Sequence, residues 1–217
     1  METQLDDDVL DIAEDGLLRC WWSGSTADYR AYHDLEWGRP TVDERSLFEK
    51  LCLEGFQAGL SWLTILRKRD NFRGAFHNFD VSIIAEYGQR DVDRLLGNAG
   101  IVRHRGKIES TINNAQRALD LTASGSSLSE LLWSFAPEAQ SRPNRLTRAL
   151  LMESATSVES TALSKHLKRT GWSFVGPTTM YALMQAMGLV NDHQYHCHVH
   201  DDVEHERQSL ITQQEKR

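Results

Sequence analysis

The sequence predicts a mainly α-helical fold, and three features of its apolar pattern support this expectation. Apolar residues recur three or four positions apart along several long segments, which is the spacing of one helix face. Glycines and prolines follow these segments where helices would end. Long runs of alternating apolar and polar residues, typical of strands, do not occur in the sequence.

Capping residues and glycines then define the individual elements. Residues 1–17 hold seven acids and no aromatic residue, which predicts a mobile, disordered acidic tail. The first long helix is expected from about Asp43 to Ala58. Further helices are expected over 81–87 and 92–97 with N-caps at Asp80 and Asp91, over 105–123, from Ser127 or Ser129 to Phe135, over 159–170 and over 177–187. An irregular connection is expected over residues 138–158, and a polar C-terminal tail is expected over residues 201–217.

Length and composition favour a globular protein that acts in the cytoplasm. A chain of 217 residues that is 40% hydrophobic can form one domain, over about residues 18–200, or two helical lobes that share one site. The sequence contains neither a membrane-spanning apolar stretch nor the basic and apolar regions of a signal peptide. Three cysteines favour metal ligands or buried thiols over a disulfide framework.

The net charge of −7 argues against a nucleic-acid partner until its distribution is considered. Residues 1–20 hold seven of the 31 acids and one of the 24 bases, so the remainder holds 24 acids and 23 bases. Basic clusters stand out in this nearly neutral body, among them Arg103, Arg105 and Lys107. Such clusters are usually solvated helix faces, but each is also a candidate phosphate contact.

Four candidate zinc ligands lie at opposite ends of the folded region. Cys20 and His33 are near its start, and His193 and Cys197 are four residues apart near its end. Two thiolates and two imidazoles make a closed tetrahedral site, which is typical of structural zinc. Isolated buried cysteines with exposed histidines are the alternative. The neighbouring histidines, His196, His198 and His200, could compete as ligands.

A carboxylate lies within an aromatic and apolar part of the sequence. Trp22, Tyr32 and Trp37 belong to a dense aromatic segment, and LEGFQAGLSW follows at 53–62, with Glu54 and Trp62 on or beside the first long helix. A buried carboxylate without partners is unfavourable, so Glu54 indicates a ligand site or a polar network. The alternative is that Glu54 is partly exposed or pairs with a nearby arginine.

The segment 163–188 predicts a helix, a short glycine-bounded hairpin and a second helix. Gly171 and Gly176 are expected to let the backbone turn tightly. Gly176, Thr178 and Thr179 open the second helix, whose free N–H groups and dipole attract a phosphate oxygen. Lys168 adds positive charge beside the hairpin. A hairpin of this kind is also an ordinary packing unit.

As a set, these residues resemble the 3-methyladenine DNA glycosylase I family. The matching segments are RCWW, AYHDLEWGRP, LFEKLCLEGFQAGLSWLTILRKR, AGIVRHRGKI and WSFVGPTTMYALMQAMGLVNDH, in the family's order and over about residues 19–197. The resemblance implies a helix-hairpin-helix DNA glycosylase fold. It implies a structural zinc held by Cys20, His33, His193 and Cys197, joining the N- and C-terminal segments.

The resemblance also implies a site and an activity. The base pocket would contain Glu54, Tyr32 and Trp62, with Trp22 and Trp37 nearby. The expected protein is a monomer that binds double-stranded DNA containing alkylated bases and hydrolyses the glycosidic bond of 3-methyladenine without lyase activity. Glycosylases of the wider superfamily usually carry an aspartate shortly after the hairpin helix, and Asp192 lies in that region; because the implied zinc ligand His193 follows it directly, a structural role is expected for Asp192 instead. A zinc hydrolase with an open coordination position and a lesion-binding protein without turnover remain as alternatives.

Overall fold

The computed structural model describes residues 10–12, 14–24, 26–138, 141–143, 145–153 and 155–215. It confirms the mainly helical fold. The chain divides into two compact units. The first unit comprises Met1–Thr41, Ala136–Ser157 and Met184–Arg217, and the second comprises Val42–Phe135 and Val158–Leu183. Among the described residues, no helix is both long and apolar enough to span a membrane.

The second unit contains most of the helices. Its central helices are α2, Glu44–Gln57, and α7, Arg105–Ala123, and phenylalanines such as Phe48, Phe56 and Phe72 are buried in its core. The remaining helices are α3 (Trp62–Leu66), α4 (Arg69–Ala75), α5 (Val81–Ala85), α6 (Gln89–Leu96), α8 (Leu128–Trp133), α10 (Val158–Arg169) and the first part of α11 (Pro177–Ala186).

Side-chain caps explain why several of these helices begin where the sequence predicts. Asp43 accepts a hydrogen bond from the N–H of Ser46 at the start of α2. Asp80 does the same for the N–H groups of Ser82 and Ile83 at the start of α5. Ser127 begins α8 with a capping box. Each cap satisfies N–H groups that have no partner within the helix, so it fixes the first residue.

In its described residues, the first unit contains a small hairpin, the end of α11 and further helices. Strand β1, Asp11–Ile12, pairs antiparallel with β2, Leu18–Arg19. The helices are α1 (Ala27–Leu35), α9 (Arg148–Glu153) and α12 (His200–Glu215). Gly38 follows α1 with φ +82°, and a Cβ there would lie 3.0 Å from Nε2 of His193. Gly38 thus permits both a left-handed turn and a close approach to His193.

The predicted tail over residues 1–17 is wrong for the described part of that segment. Residues Asp11–Ile12 form a strand, and Asp15 pairs with the buried Arg19 at 2.8 Å. One of the carboxylates that made the segment look like a tail, that of Asp15, is therefore an ion-pair partner. Residues 1–9 and 13 lie outside the described residues.

The predicted polar tail over 201–217 is also wrong, because α12 covers nearly all of it. Val203 is fully buried in a cluster with Cys20, Cys197 and Val199. Four residues later, the buried Arg207 donates hydrogen bonds to the backbone carbonyls of Leu189 and Pro137. Two inward-facing residues one turn apart anchor an otherwise polar helix, a pattern too sparse to predict burial from sequence.

Smaller corrections concern boundaries. Helix α6 begins after Gly88, and Asp91, the expected N-cap, lies in the first turn and accepts from the N–H of Gly88. The expected irregular connection over 138–158 contains α9. The helices α1, α3 and α4 were not predicted. They are short, so their apolar spacing is a weak signal.

Candidate active site and metal centre

Four side chains of the first unit bring their donor atoms together. The donor atoms of Cys20, His33, His193 and Cys197 all lie within 4.8 Å of one another, and all four residues are buried. The Sγ of Cys197 is 3.5 Å from Nε2 of His33 and 3.6 Å from Nδ1 of His193. Zinc bonded tetrahedrally to sulfur and nitrogen would separate these atoms by about 3.6 Å. The donor set therefore fits a zinc ion.

Neighbouring groups orient both histidine rings for metal binding. Nδ1 of His33 donates to the carboxylate of Asp34 at 2.7 Å, which leaves Nε2 with a lone pair facing the cysteines. Nε2 of His193 donates to the backbone carbonyl of Trp37 at 3.0 Å, which leaves Nδ1 facing them. Such outer hydrogen bonds fix the tautomer and the ring plane of a metal ligand.

Protonation in this cluster is also set by its surroundings. Burial lowers the pKa of His193 and so favours the neutral ring, the form that binds metals. Burial raises the pKa of the Cys20 thiol, whereas a hydrogen bond with Cys20 lowers the pKa of Cys197. Although burial opposes it, hydrogen bonds from Arg19, His33 and His198 hold the pKa of Asp34 well below its usual value.

The three neighbouring histidines are not part of the four-donor set. His198 donates through Nε2 to Asp34 at 3.0 Å, so it supports the residue that orients His33. His200 contacts the carboxylate of Asp201 at 2.8 Å. His196 lies in a left-handed conformation with its ring against Tyr195. A second grouping, His33, Asp34 and His198, shares His33 with the first.

In the second unit, Glu54 is buried on α2 beside a cation. Its Oε1 lies 2.9 Å from Nζ of Lys50, one turn earlier on the same helix. The Nζ of Lys50 also lies 3.1 Å from the centroid of the Trp62 ring. Both charged side chains are buried, with 9% and 4% of their surfaces exposed. The site therefore offers a carboxylate and an aromatic face to one positive charge.

A second buried lysine holds the end of the helix that carries Glu54. Nζ of Lys107, on α7, donates to the carbonyl of Phe56 at 2.8 Å and to that of Ala58 at 2.6 Å. These carbonyls lie at the C-terminal end of α2, where they lack partners within the helix and a cation is favourable. Burial lowers the pKa of Lys107. Lys107 was expected in an exposed basic cluster, and its burial corrects that expectation.

The hairpin between α10 and α11 is present, but its turn differs from the prediction. Gly171 has φ +86°, as expected of a turn glycine. Gly176 does not have a positive φ, and a Cβ there would meet only ordinary contacts. The left-handed residue inside the hairpin is Phe174, with φ 54°. The exposed residues Lys168 and Thr178 and the partly exposed Thr179 border the hairpin, and their contact with DNA stays a prediction.

Helix α7 holds this hairpin in place one and two turns after Lys107. The hydroxyl of Ser110 donates to the carbonyl of Ser173 at 3.1 Å. Asn114 donates to the same carbonyl at 3.0 Å and accepts from the N–H of Ser173. A Cβ at Gly55 would lie 3.4 Å from Cβ of Phe174. The hairpin and the end of α2 are therefore both fixed against α7 within this unit.

Comparison with known proteins identifies the family. The family model described as Methyladenine glycosylase matches residues 22–200. The chain belongs to this family. It is 48% identical over 180 residues to DNA-3-methyladenine glycosylase 1 of Escherichia coli (strain K12), an alignment that covers 82% of this chain and 95% of the relative.

Solved structures of methyladenine glycosylases have the same fold. A crystal structure of 3-methyladenine DNA glycosylase I superposes with a TM-score of 0.77 at 48% identity, covering 84% of this chain and 99% of the other. A structure concerned with 3-methyladenine recognition by the Staphylococcus aureus enzyme gives a TM-score of 0.76 at 34% identity, covering 84% and 96%.

The remaining predicted pocket residues of this methyladenine glycosylase lie in the first unit. Tyr32 is buried and its ring stacks with Tyr29. The rings of Trp22 and Trp37 meet edge to face at 4.9 Å, and Trp37 packs edge-on against His193 at 4.6 Å. Trp22 and Trp37 thus cover the four-donor cluster. That these residues join Glu54 and Trp62 in one pocket stays a prediction.

Asp192 was singled out from the sequence, whereas Lys50 was not. Asp192 is buried, forms an ion pair with Arg142 and accepts from Nε2 of Gln185 at 2.8 Å, which agrees with the expected structural role. Lys50 was missed as the partner of Glu54. The available signal was a lysine four residues before a glutamate on an apolar helix face, a spacing that is usually attributed to the solvent side.

Proposed function

We propose that this chain removes 3-methyladenine from double-stranded DNA by hydrolysing its glycosidic bond and leaves an abasic site, without lyase activity. Family membership supports the reaction class. The Staphylococcus aureus relative, whose structure describes 3-methyladenine recognition, supports the substrate. The observation that carries the proposal is the buried carboxylate of Glu54 beside the face of Trp62, because this pair suits a positively charged ring.

Methylation at N3 makes such a site effective. The modified adenine carries a delocalised positive charge, so its bond to C1′ of the deoxyribose is already weak. When this bond breaks, its electron pair goes to the base, which leaves as a neutral molecule; water adds to C1′ and loses a proton to solvent. The enzyme must extrude the nucleotide and select the charged base. Glu54 accepts hydrogen bonds from the adenine edge and balances its charge, and Trp62 stacks on the ring.

We propose a structural zinc ion bound by Cys20, His33, His193 and Cys197. Four protein donors fill a tetrahedral shell, which favours a structural site over the catalytic site of a zinc hydrolase. When bound, the ion would join segments of the first unit that are far apart in the sequence. All four donors come from one chain, which is compatible with a monomer.

For DNA binding we propose the hairpin that runs from Lys168 to Thr179. Its backbone N–H groups at Thr178 and Thr179 precede the first hydrogen-bonded turn of α11, and Gly171 and Gly176 flank the turn. A phosphate oxygen at a helix N-terminus is favoured by these donors and by the helix dipole. Because the substrate is DNA, we expect the protein to act at the cytoplasmic nucleoid.

The deciding experiment measures release of free base from methylated duplex DNA. We expect release of 3-methyladenine and no covalent adduct after borohydride treatment. A lesion-binding protein would retain the methylated DNA without releasing base, and a trapped adduct would contradict the monofunctional reaction.

Glu54→Gln tests the residue that carries the proposal. The change keeps the side-chain shape and removes the charge, and a hydrogen bond to a charged group contributes about 1.5–3 kcal/mol, so excision should slow by roughly 10- to 150-fold. Glu49→Gln on the same helix, whose carboxylate pairs with Arg73, is the matched control and should retain activity. Binding of free 3-methyladenine, followed by tryptophan fluorescence, should weaken in parallel if Glu54 recognises the base. It should persist if Glu54 acts only on water.

A further inference from the structure

Lys50 already presents a positive charge to the proposed base site. Its ammonium lies against the carboxylate of Glu54 at 2.9 Å and over the ring of Trp62 at 3.1 Å from the centroid. A cationic adenine held by these two residues would use the same two interactions. The carboxylate of Glu54 therefore has a charged partner before any substrate arrives.

Two cations cannot share this place favourably. Lys50 and Glu54 are both buried, so water screens the charges weakly. A second positive charge beside the single carboxylate would repel the ammonium at close range. Entry of a charged base thus requires that the ammonium of Lys50 leave. A charged base then takes its place as the partner of Glu54, whereas a neutral base would leave this buried carboxylate without a charged partner.

On α2, the contact that has to open in this exchange is one between two side chains. Lys50 and Glu54 are one turn apart on the helix, so the contact depends on the rotamers of the lysine side chain. Lysine carries its ammonium on a flexible four-carbon stem. By contrast, Lys107 donates to two backbone carbonyls, a contact that belongs to the fixed frame of the unit.

We propose that Lys50 is an internal surrogate for the cationic base, and that its ammonium moves out of the site when the damaged base enters. The inference rests on the proposed function, because that function supplies the positively charged ligand. Lys50 then acts as a built-in competitor. The apparent Kd for the charged base equals the intrinsic Kd divided by the fraction of time that the ammonium is away, so a rarely vacant site binds the base weakly.

The test uses a probe that carries the charge and cannot be hydrolysed. The 3,9-dimethyladeninium ion has a methyl group in place of the sugar, and neutral 9-methyladenine is its uncharged match. Affinities are measured by tryptophan fluorescence for the wild type, Lys50→Met and Lys50→Arg. If Lys50 fills the site for about 90% of the time, the apparent Kd of Lys50→Met for the ion falls about tenfold. Lys50→Arg keeps the charge and should stay near wild type.

A second measurement uses the wild-type protein and does not depend on how the variants fold. Acylation of lysines by an N-hydroxysuccinimide ester, mapped by mass spectrometry, should be slow at Lys50 in the free protein. Saturating 3,9-dimethyladeninium should accelerate it at Lys50 and leave the buried Lys107 slow, while exposed Lys168 reacts quickly throughout.

Several outcomes would overturn the surrogate. One is an unchanged labelling rate at Lys50 in protein that has bound the ion. Another is a Lys50→Met variant that binds the ion no more tightly than the wild type. The third is a wild-type protein that does not bind the ion. Failure of the proposed reaction gives a different pattern, in which the ion binds and exposes Lys50 but methylated DNA releases no base.

Discussion

The four-donor cluster and the Glu54 site both bury ionisable groups, but their partners are fixed to very different degrees. In the cluster, Nδ1 of His33 and Nε2 of His193 are each tied to a neighbouring oxygen, so their metal-facing atoms have one orientation. In the Glu54 site, the partner is a flexible lysine four residues away on the same helix. Fixed donors suit a permanent ion, whereas a movable cation suits a site whose occupant is exchanged.

The largest effect is expected from breaking the fixed cluster. Cys197→Ser should lower zinc content well below one per chain and reduce the free energy of unfolding by about 3 kcal/mol or more, because a closed zinc site contributes directly to folding. For a chain of this size that loss corresponds to roughly 6–12 °C in Tm. Metal analysis and thermal denaturation measure both.

Cys52→Ser is the matched control for that experiment. Cys52 is buried in the second unit, and its thiol is not one of the four donors that meet at the cluster. Its replacement should leave zinc content unchanged. Wild-type protein that is metal-free and equally stable after chelation would contradict the structural zinc.

A smaller effect is expected from removing Lys107, which supports the end of the helix that carries Glu54. Lys107→Met removes both hydrogen bonds to the carbonyls of Phe56 and Ala58, so the end of α2 loses its support. We expect excision to slow by about tenfold, which corresponds to about 1.4 kcal/mol in the barrier. Binding of free 3-methyladenine should weaken, while affinity for undamaged duplex DNA should stay constant.

Lys68→Met is the matched change, because Nζ of Lys68 also donates to two backbone carbonyls, those of Ala99 and Gly100, at 3.2 Å. It should lower stability slightly and leave base binding intact. If Lys107→Met instead weakens binding to undamaged DNA and reduces its salt dependence, Lys107 contacts phosphate, as its place in a basic cluster first indicated.

The same contrast explains how much the sequence could predict. Helices α2 and α7 were predicted within about a residue, because caps and apolar spacing are local signals carried by residues such as Asp43. The four donors could be proposed because only a few residue types bind zinc, and the structure brings them together. For the helices local signals were sufficient, whereas the four donors were singled out from His196, His198 and His200 by the resemblance to the family.

The errors arise where tertiary packing decides. Helix α12 looked like a tail because Val203 and Arg207 are among the few buried residues on a polar segment. Lys107 was assigned to an exposed basic cluster and Lys50 was missed, and each is buried because it has acceptors or an aromatic face from another element. Whether a lysine is exposed depends on partners far away in the sequence, so a single sequence does not determine it.

The smallest expected effect concerns the acidic N-terminal segment, whose influence on DNA binding should depend on salt, unlike the contacts within the two buried sites. Contacts inside the cluster and the Glu54 site are shielded from salt, whereas exposed charges are screened within about 8 Å at physiological ionic strength. Removing residues 1–9 deletes Glu2, Asp6, Asp7 and Asp8 and no base, which changes the net charge from −7 to −3, and it spares the hairpin that begins at Asp11.

If this segment lies near bound DNA, truncation should tighten duplex binding by about two- to threefold at roughly 50 mM salt and have no effect at about 300 mM. A full-length variant with the three neighbouring aspartates changed to asparagine should reproduce the gain, since the cause is charge rather than length. Equal affinities of all three proteins at low salt would show that the segment does not act on DNA through its charge.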